Sequence, residues 1–164
     1  MSGIISDNVG RATGLIKSAG GGGKILQVQT GVDTTARAFT STSFGQQSST
    51  MNFDITLAAT SSKVLLIATT AGYVESGQGV QATIFRDSTN LGNATYGMSG
   101  HYTGSYNNGA SISIAFIDSP SSTSAITYSF QFKGNDGTNK QINHDGIGGT
   151  RHGVGTLIGL EIGA

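Results

Sequence analysis

The strongest constraint on the fold is a period-two alternation of apolar and polar side chains between positions 110 and 133 (ASISIAFIDSPSSTSAITYSFQFK). Successive side chains of a strand point to opposite faces, so each alternating run predicts a strand with one face for a core and one for water. The segment 118–122 (DSPSS) breaks the sheet between the runs, because proline fixes φ and donates no backbone hydrogen bond. The residues predicted to face the core are Ala110, Ile112, Ile114 and Phe116, then Ile126, Tyr128, Phe130 and Phe132.

The same pattern recurs from position 24 onward. Further strands are predicted at 24–32, 34–42, 51–57, 63–74, 80–86, 138–143 and 156–162. Met51, Phe53, Ile55 and Leu57 are expected to point inward. Segment 64–67 is apolar on both faces, which predicts a central strand or one whose outer face meets a neighbouring subunit. Eight to ten strands without a convincing helix predict an all-β fold, an antiparallel β-sandwich of the jelly-roll type, over residues 24–164.

Composition narrows the function classes. The 164 residues suit one domain and include no cysteine, so disulfides and thiolate metal sites are excluded. Charged residues make up 11%, with nine of each sign, which argues against nucleic-acid binding and suggests that much of the surface meets another protein. No apolar run reaches the roughly 18 residues that span a bilayer, and the first residues do not resemble a signal peptide, so we expect no membrane insertion.

Residues 1–23 predict an extended N-terminal arm. Glycines at 3, 10, 14 and 20–23 weaken both helix and strand there. The arm is expected to be held by something outside its own domain, and an arm docked on its own body is the alternative. The residues predicted to dock are Ile4, Ile5, Val9, Leu15 and Ile16.

The sequence offers little catalytic chemistry. His144 and His152 stand eight positions apart across glycines, without the helical spacing of a zinc protease, so we expect loop histidines and no metal site. Lys24 follows a run of glycines, but it is not followed by the serine or threonine that a phosphate loop requires. Segment 146–149 lacks the third glycine of a dinucleotide site. We therefore expect no catalytic residues, no cofactor and no enzyme activity.

One irregular segment, 91–109, is rich in glycine, asparagine and tyrosine. Tyrosine combines an apolar ring with a polar hydroxyl, and such side chains on a loop can stack on a sugar or a protein partner. A loop that caps one end of the sandwich is the alternative. The candidate recognition residues are Tyr96, His101, Tyr102 and Tyr106.

The order of turns and strands resembles a known family. The motifs are a Ser-Ser-Lys turn before an apolar strand (61–67), a strand ending in Phe-Arg-Asp and a turn (84–90), then Phe-Ile-Asp-Ser-Pro (116–120) and the alternating strand 126–132. Together with the opening SGIISDNVGRATGLIK, they resemble the small jelly-roll virion proteins of tailed bacteriophages, found in capsid decorations and tail fibres, cyanophage proteins among them.

This resemblance implies a structural protein of the virion, assembled in the host cytoplasm, that forms a homotrimer and docks by its arm on other phage structural proteins (coat or tail subunits). Capsid decoration, or cement, is the role expected first. The alternatives are a short tail fibre or spike that contacts the host surface, and a soluble jelly roll that binds glycans such as a host surface glycan. The position of the chain on the virion, its host and the role of segment 91–109 stay open.

Overall fold

The computed structural model describes residues 23–144 and 153–163, and eleven strands but no helix occur in these ranges. No helix there is long and apolar enough to cross a membrane. The strands are β1 (Ile25–Asp33), β2 (Arg37–Phe39), β3 (Asn52–Thr56), β4 (Lys63–Val74), β5 (Gly79–Arg86), β6 (Thr89–Asn90), β7 (Ser99–Tyr102), β8 (Asn108–Asp118), β9 (Ala125–Gly134), β10 (Lys140–Ile142) and β11 (Gly155–Ile162).

All strand pairs are antiparallel and form two sheets. In sheet A, β8 runs along one edge of β4, while β11 and β10 share the other edge, and β1 and β2 lie beyond them. In sheet B, β9 runs along one edge of β5, and β6 and β7 share the other. β3 lies beyond β9. β4 therefore has neighbours on both sides, which confirms the prediction of a central strand.

The connectivity is that of a jelly roll. Leaving aside the very short β2, β6 and β10, the pairs β1·β11, β3·β9, β4·β8 and β5·β7 match strands from the two halves of the chain in nested order. The chain behaves as one long antiparallel hairpin that is wound into two sheets. The predicted all-β antiparallel sandwich is confirmed. The predicted arm 1–23 lies outside the described residues, apart from Gly23.

The core forms where the alternation predicted it. Side chains at alternate positions of β3, β8 and β9 fill the space between the sheets, and Tyr128, Phe130 and Phe132 are fully buried there. The Phe130 and Phe132 rings lie 4.4 Å apart between centroids, and the Phe53 and Tyr128 rings lie 5.6 Å apart. These offset aromatic contacts stabilise the sandwich beyond the burial of their area.

Three local expectations change in the folded chain. β8 and β9 are neighbours in sequence, but they belong to opposite sheets and do not pair with each other. Segment 135–137 (NDG), a sequence typical of a tight hairpin turn, likewise carries the chain from sheet B to sheet A. The predicted strand 34–42 is reduced to the three residues of β2, and the irregular segment 91–109 contains β7.

Candidate functional site

The outward-facing side of sheet A is apolar near one end, and threonine and serine (Thr69, Ser113 and Thr156) continue it toward the other. The pairing register places side chains of β1, β11, β4 and β8 in rows across the sheet. One row consists of Val28, Leu160, Leu65 and Ile117, and the next consists of Thr30, Ile158, Ile67 and Ala115. Since directly paired residues of neighbouring strands share a face, these side chains form one continuous surface, which we call the apolar face.

Much of the apolar face is open to solvent. Val28 is 53% exposed and Ile117 is 54% exposed, while Leu65 and Leu160 between them are half-buried. Of the outward-facing side chains on these four strands, only Lys63, at the margin, is charged. With four strands about 4.8 Å apart and two rows about 6.8 Å apart, the face measures about 19 Å by about 14 Å. A patch of this extent is commonly a binding surface.

Sheet B has the opposite character on its outer side. The outward positions of its strands β3 and β9 are polar or charged: Asn52, Asp54, Thr56, Thr127, Ser129, Gln131 and Lys133. Asp54 accepts a hydrogen bond from the Thr127 hydroxyl across these two strands, at 2.5 Å. The sandwich is therefore asymmetric, with one apolar and one largely polar outer face.

The inner side of β11 explains why its apolar residues point outward. Glu161 is fully buried, and its carboxylate accepts hydrogen bonds from Gln27 Nε2 at 2.6 Å and from the Ala58 amide at 2.8 Å. Burial alone raises the pKa of Glu161, but these hydrogen bonds outweigh it and lower the pKa below its ordinary value. Gly159, also on the inner side, lies against the Phe53 ring. Both contacts fix the register that leaves Ile158 and Leu160 outside.

The structure separates the four predicted recognition residues. Tyr96 and Tyr102 line one cleft of about 260 Å³ on the outer side of sheet B, and they are 68% and 64% exposed. His101 also lines the cleft, but it pairs with the core residue Val80, so its side chain and that of Tyr102 lie on opposite sides of the sheet. Tyr106 is exposed but does not line the cleft.

Hydrogen bonds within the loop, to β5 and to the residue before it hold the backbone around both cleft tyrosines in place. The Asn93 side chain accepts hydrogen bonds from the amides of Thr95 and Tyr96, and the Met98 amide donates to the Ala82 carbonyl of β5 at 2.8 Å. Tyr102 belongs to β7, which pairs with β5. The next residue, Thr103, donates its amide to the Gln78 carbonyl at 2.9 Å.

The structure says less about the other predicted positions. The docking residues Ile4, Ile5, Val9, Leu15 and Ile16 lie outside the described residues, and so does His152. His144 packs against Tyr73 with ring centroids 5.1 Å apart. Within the described ranges, no three histidine, aspartate or glutamate side chains come together as metal ligands.

Sequence reasoning missed most of the apolar face and the polar floor of the cleft. The alternation in β1 and β11 signals that one side of each strand is apolar. It does not show which side faces the core, and that choice determines whether Val28 and Leu160 are exposed. Gln81, which lines the cleft between the tyrosines and β9, carries no sequence signal of its own.

Comparisons with known proteins give little information about the family or function of this chain. No protein-family model matches the chain, and no curated protein matches it. Among solved structures, the chain is similar to one in the crystal structure of the infectious bursal disease virus VP2 subviral particle, with 12% identity and a TM-score of 0.39. The match covers 85% of this chain and 41% of that chain, so this chain spans less than half of its length. At that TM-score, nothing about function passes from that structure to this chain.

Proposed function

We propose that this chain is a structural, non-enzymatic protein of a tailed-phage virion. In this proposal it is a homotrimeric jelly roll that associates through the apolar face and docks on coat or tail subunits through residues 1–23. The observation that carries the proposal is the apolar face itself. Solvent-exposed rows of valine, leucine and isoleucine are unfavourable on an isolated subunit and are typical of a subunit interface.

Simple energetics support self-association. Burying one valine, leucine or isoleucine side chain contributes about 1.5–3 kcal/mol. Three apolar faces arranged around a threefold axis would each contact two neighbours, so every copy of Val28 and Ile117 would leave water together. The near absence of charge on the face means that few ions lose their hydration on association, a loss that commonly offsets the gain.

Contacts among the motifs that carry the phage resemblance add support. Arg86, Asp118 and Tyr128 come from three separate motifs, yet their side chains meet. The motifs thus belong to one structural unit that joins the two sheets, which is what a shared fold requires. The virion assignment itself depends on the resemblance and on the predicted arm.

Capsid decoration is favoured over a fibre because the segment that joins the docking residues to the body is short. Segment 17–23, which joins the docking residues to the body, reaches at most about 23 Å when fully extended. The second candidate is a short fibre or spike, or a soluble glycan-binding protein. The exposed side chains of Tyr96, Tyr102 and Tyr106 favour these alternatives, because such side chains are common at recognition surfaces.

The oligomeric state tests the first step. Sedimentation velocity of the full chain should show a trimer. Val28→Lys and Ile117→Lys should each weaken association at least about tenfold, because a charge then replaces a buried apolar side chain. Thr56→Lys, an exposed position of β3 on the polar side, is the matched control and should leave the trimer intact. A monomeric wild-type chain would refute the association.

The virion role has its own test. Antibody labelling of phage particles that encode this sequence, followed by electron microscopy, should place the protein on the head. Deletion of residues 1–16 should abolish particle binding while the trimer persists. Particles that bind the truncated trimer as well as the full chain would refute docking by the arm, and label confined to the tail would favour the fibre.

A further inference from the structure

A second surface lies on the polar side of the molecule. The cleft between Tyr96 and Tyr102 is on the outer side of sheet B, whereas the apolar face is on the outer side of sheet A. Two glycines form part of the floor, Gly79 and Gly100. Each is paired directly with a residue of the cleft, Gly79 with Tyr102 and Gly100 with Gln81. The Tyr102 ring covers Gly79, where a Cβ would lie 3.1 Å from its Cδ2 atom, whereas Gly100 is exposed and leaves its backbone open to a ligand.

The cleft also contains an unused hydrogen-bonding group. The side-chain oxygen of Gln81 is shielded from solvent and has no hydrogen-bond partner among the described residues. A buried amide oxygen without a partner is uncommon and costs free energy. The terminal torsion of glutamine is soft, so rotation of the side-chain amide can present this oxygen to a ligand in the cleft.

The charge around the cleft selects among ligands. Among the residues that the structure describes, its lining consists of tyrosine, glutamine, asparagine, glycine, valine and histidine, without a lysine, arginine or carboxylate. The nearest row neighbour of Gln81 is Lys133, whose ammonium instead lies 4.8 Å from the centre of the Phe44 ring. A phosphorylated or strongly anionic ligand therefore lacks a counter-charge here.

We propose that this cleft binds a neutral pyranose ring of a saccharide. The apolar C–H face of such a ring would pack on Tyr96 and Tyr102, and one hydroxyl would donate to Gln81 Oε1. The size agrees with one ring, since about 260 Å³ is below the range of about 300–1,000 Å³ typical of drug-sized ligands. A polyproline peptide also favours tyrosines, but it needs an extended groove instead of one compact cleft.

Rigid attachment strengthens the proposal. Tyr96 lies in a turn closed by backbone hydrogen bonds between Asn93 and Gly97, and Tyr102 belongs to a paired strand. A site on such elements loses little conformational entropy when a ligand binds. The proposal does not depend on the virion role or on self-association, because no residue of the apolar face lines the cleft.

The test is saturation-transfer NMR on the full chain with the methyl glycosides of glucose, galactose, mannose and N-acetylglucosamine. At least one glycoside should bind with a Kd on the order of 1 mM. Tyr96→Ala and Tyr102→Ala should each raise that Kd at least about tenfold, and Gln81→Leu at least about threefold. Tyr106→Ala is the matched control, because Tyr106 is equally exposed but lies outside the cleft, and should leave the Kd unchanged.

Unchanged melting temperatures would show that these surface variants remain folded. No binding of any of the four glycosides at about 20 mM, far above the expected Kd, would overturn the proposal. Equal affinity of the wild type and of both tyrosine variants would overturn it too. A decaproline peptide is included in the same series, and its binding without any glycoside binding would replace the saccharide with a peptide ligand.

Discussion

At the scale of single residues, the fold depends on a few positions where size or pairing leaves no latitude. Gly159 is the clearest. A Cβ at this position would lie 2.2 Å from Cζ of Phe53, whose side chain is buried in the core. Glycine is needed here for space and not for an unusual φ, so the requirement comes from packing between the sheets.

We predict that Gly159→Ala destabilises the protein by about 1–3 kcal/mol, because the added methyl forces the Phe53 ring out of its position. Gly104→Ala is the control, since a Cβ there meets no atom within 4 Å. Alanine at such an open site leaves stability unchanged or raises it by up to about 1 kcal/mol. Urea unfolding of both variants measures the difference, and equal stabilities would contradict the packing argument.

At the scale of elements, one carboxylate joins the two sheets at the end of β8. Asp118 accepts hydrogen bonds from Arg86 of β5 at 3.0 Å, from the Tyr128 hydroxyl of β9 at 2.7 Å and from the Ser119 amide at 2.9 Å. Burial and the hydrogen bond to Asp118 raise the pKa of Tyr128, so its hydroxyl remains a donor. This cluster connects β8 of sheet A to β5 and β9 of sheet B, with which β8 shares no backbone ladder.

Asp118→Ala should destabilise the sandwich by about 2–4 kcal/mol, since it leaves a buried hydroxyl and a partly buried guanidinium without their partner. Tyr128→Phe removes one hydrogen bond and keeps the ion pair, so its cost should be only about 1 kcal/mol. Chemical denaturation of the two variants and the wild type gives both values. A loss below about 0.5 kcal/mol for Asp118→Ala would show that the cluster does not hold the sheets together.

At the scale of the whole molecule, acid should weaken the fold through two carboxylates of sheet A and one on the turn that joins the sheets. The pKa of Asp136 falls to about 2, chiefly because Lys140 and Thr138 donate hydrogen bonds to it. Burial raises the pKa of Asp33 and of Glu161, but hydrogen bonds from Arg37 to Asp33 and from Gln27 to Glu161 outweigh it, so both values are lowered. Each group thus binds protons more weakly in the folded than in the unfolded chain.

The direction of the pH dependence of stability follows from the linkage between proton binding and folding. The stability that these groups contribute is complete above their ordinary pKa values, 3.8 for aspartate and 4.5 for glutamate, and is lost as the pH falls through the lower folded values. The free energy of unfolding should therefore be constant from about pH 7 to about 5 and decline towards about pH 2. Urea titrations across this range measure it.

Glu161→Gln provides the control for that profile. The variant should be less stable than the wild type at neutral pH, because the amide cannot accept the same set of hydrogen bonds, and the two stabilities should converge in acid. A wild-type stability that stays level down to about pH 2.5 would refute the assignment.

Much of the fold was predictable because alternation is a local property. The inward faces of β3, β8 and β9 followed from residue types alone, and so did the extent of β4. The long-range pairing of the strands was not predictable, since β8 and β9 are adjacent in sequence yet belong to opposite sheets. Of the candidate site, the two cleft tyrosines were predicted, whereas Gln81 and most of the apolar face were not.

The sequence alone determined that this chain is an all-strand sandwich in which most of the longer strands carry an apolar side, because side-chain alternation and turn residues act over a few positions. Only the tertiary structure decided which apolar sides were left outside. The inner side of β11 carries Gly159, which packs against the Phe53 ring, and Glu161, which accepts hydrogen bonds. Ile158 and Leu160 therefore point to the surface. Their alignment with Val28 and Ile117 depends on strand register, which links residues far apart in the chain and is fixed by packing between the sheets.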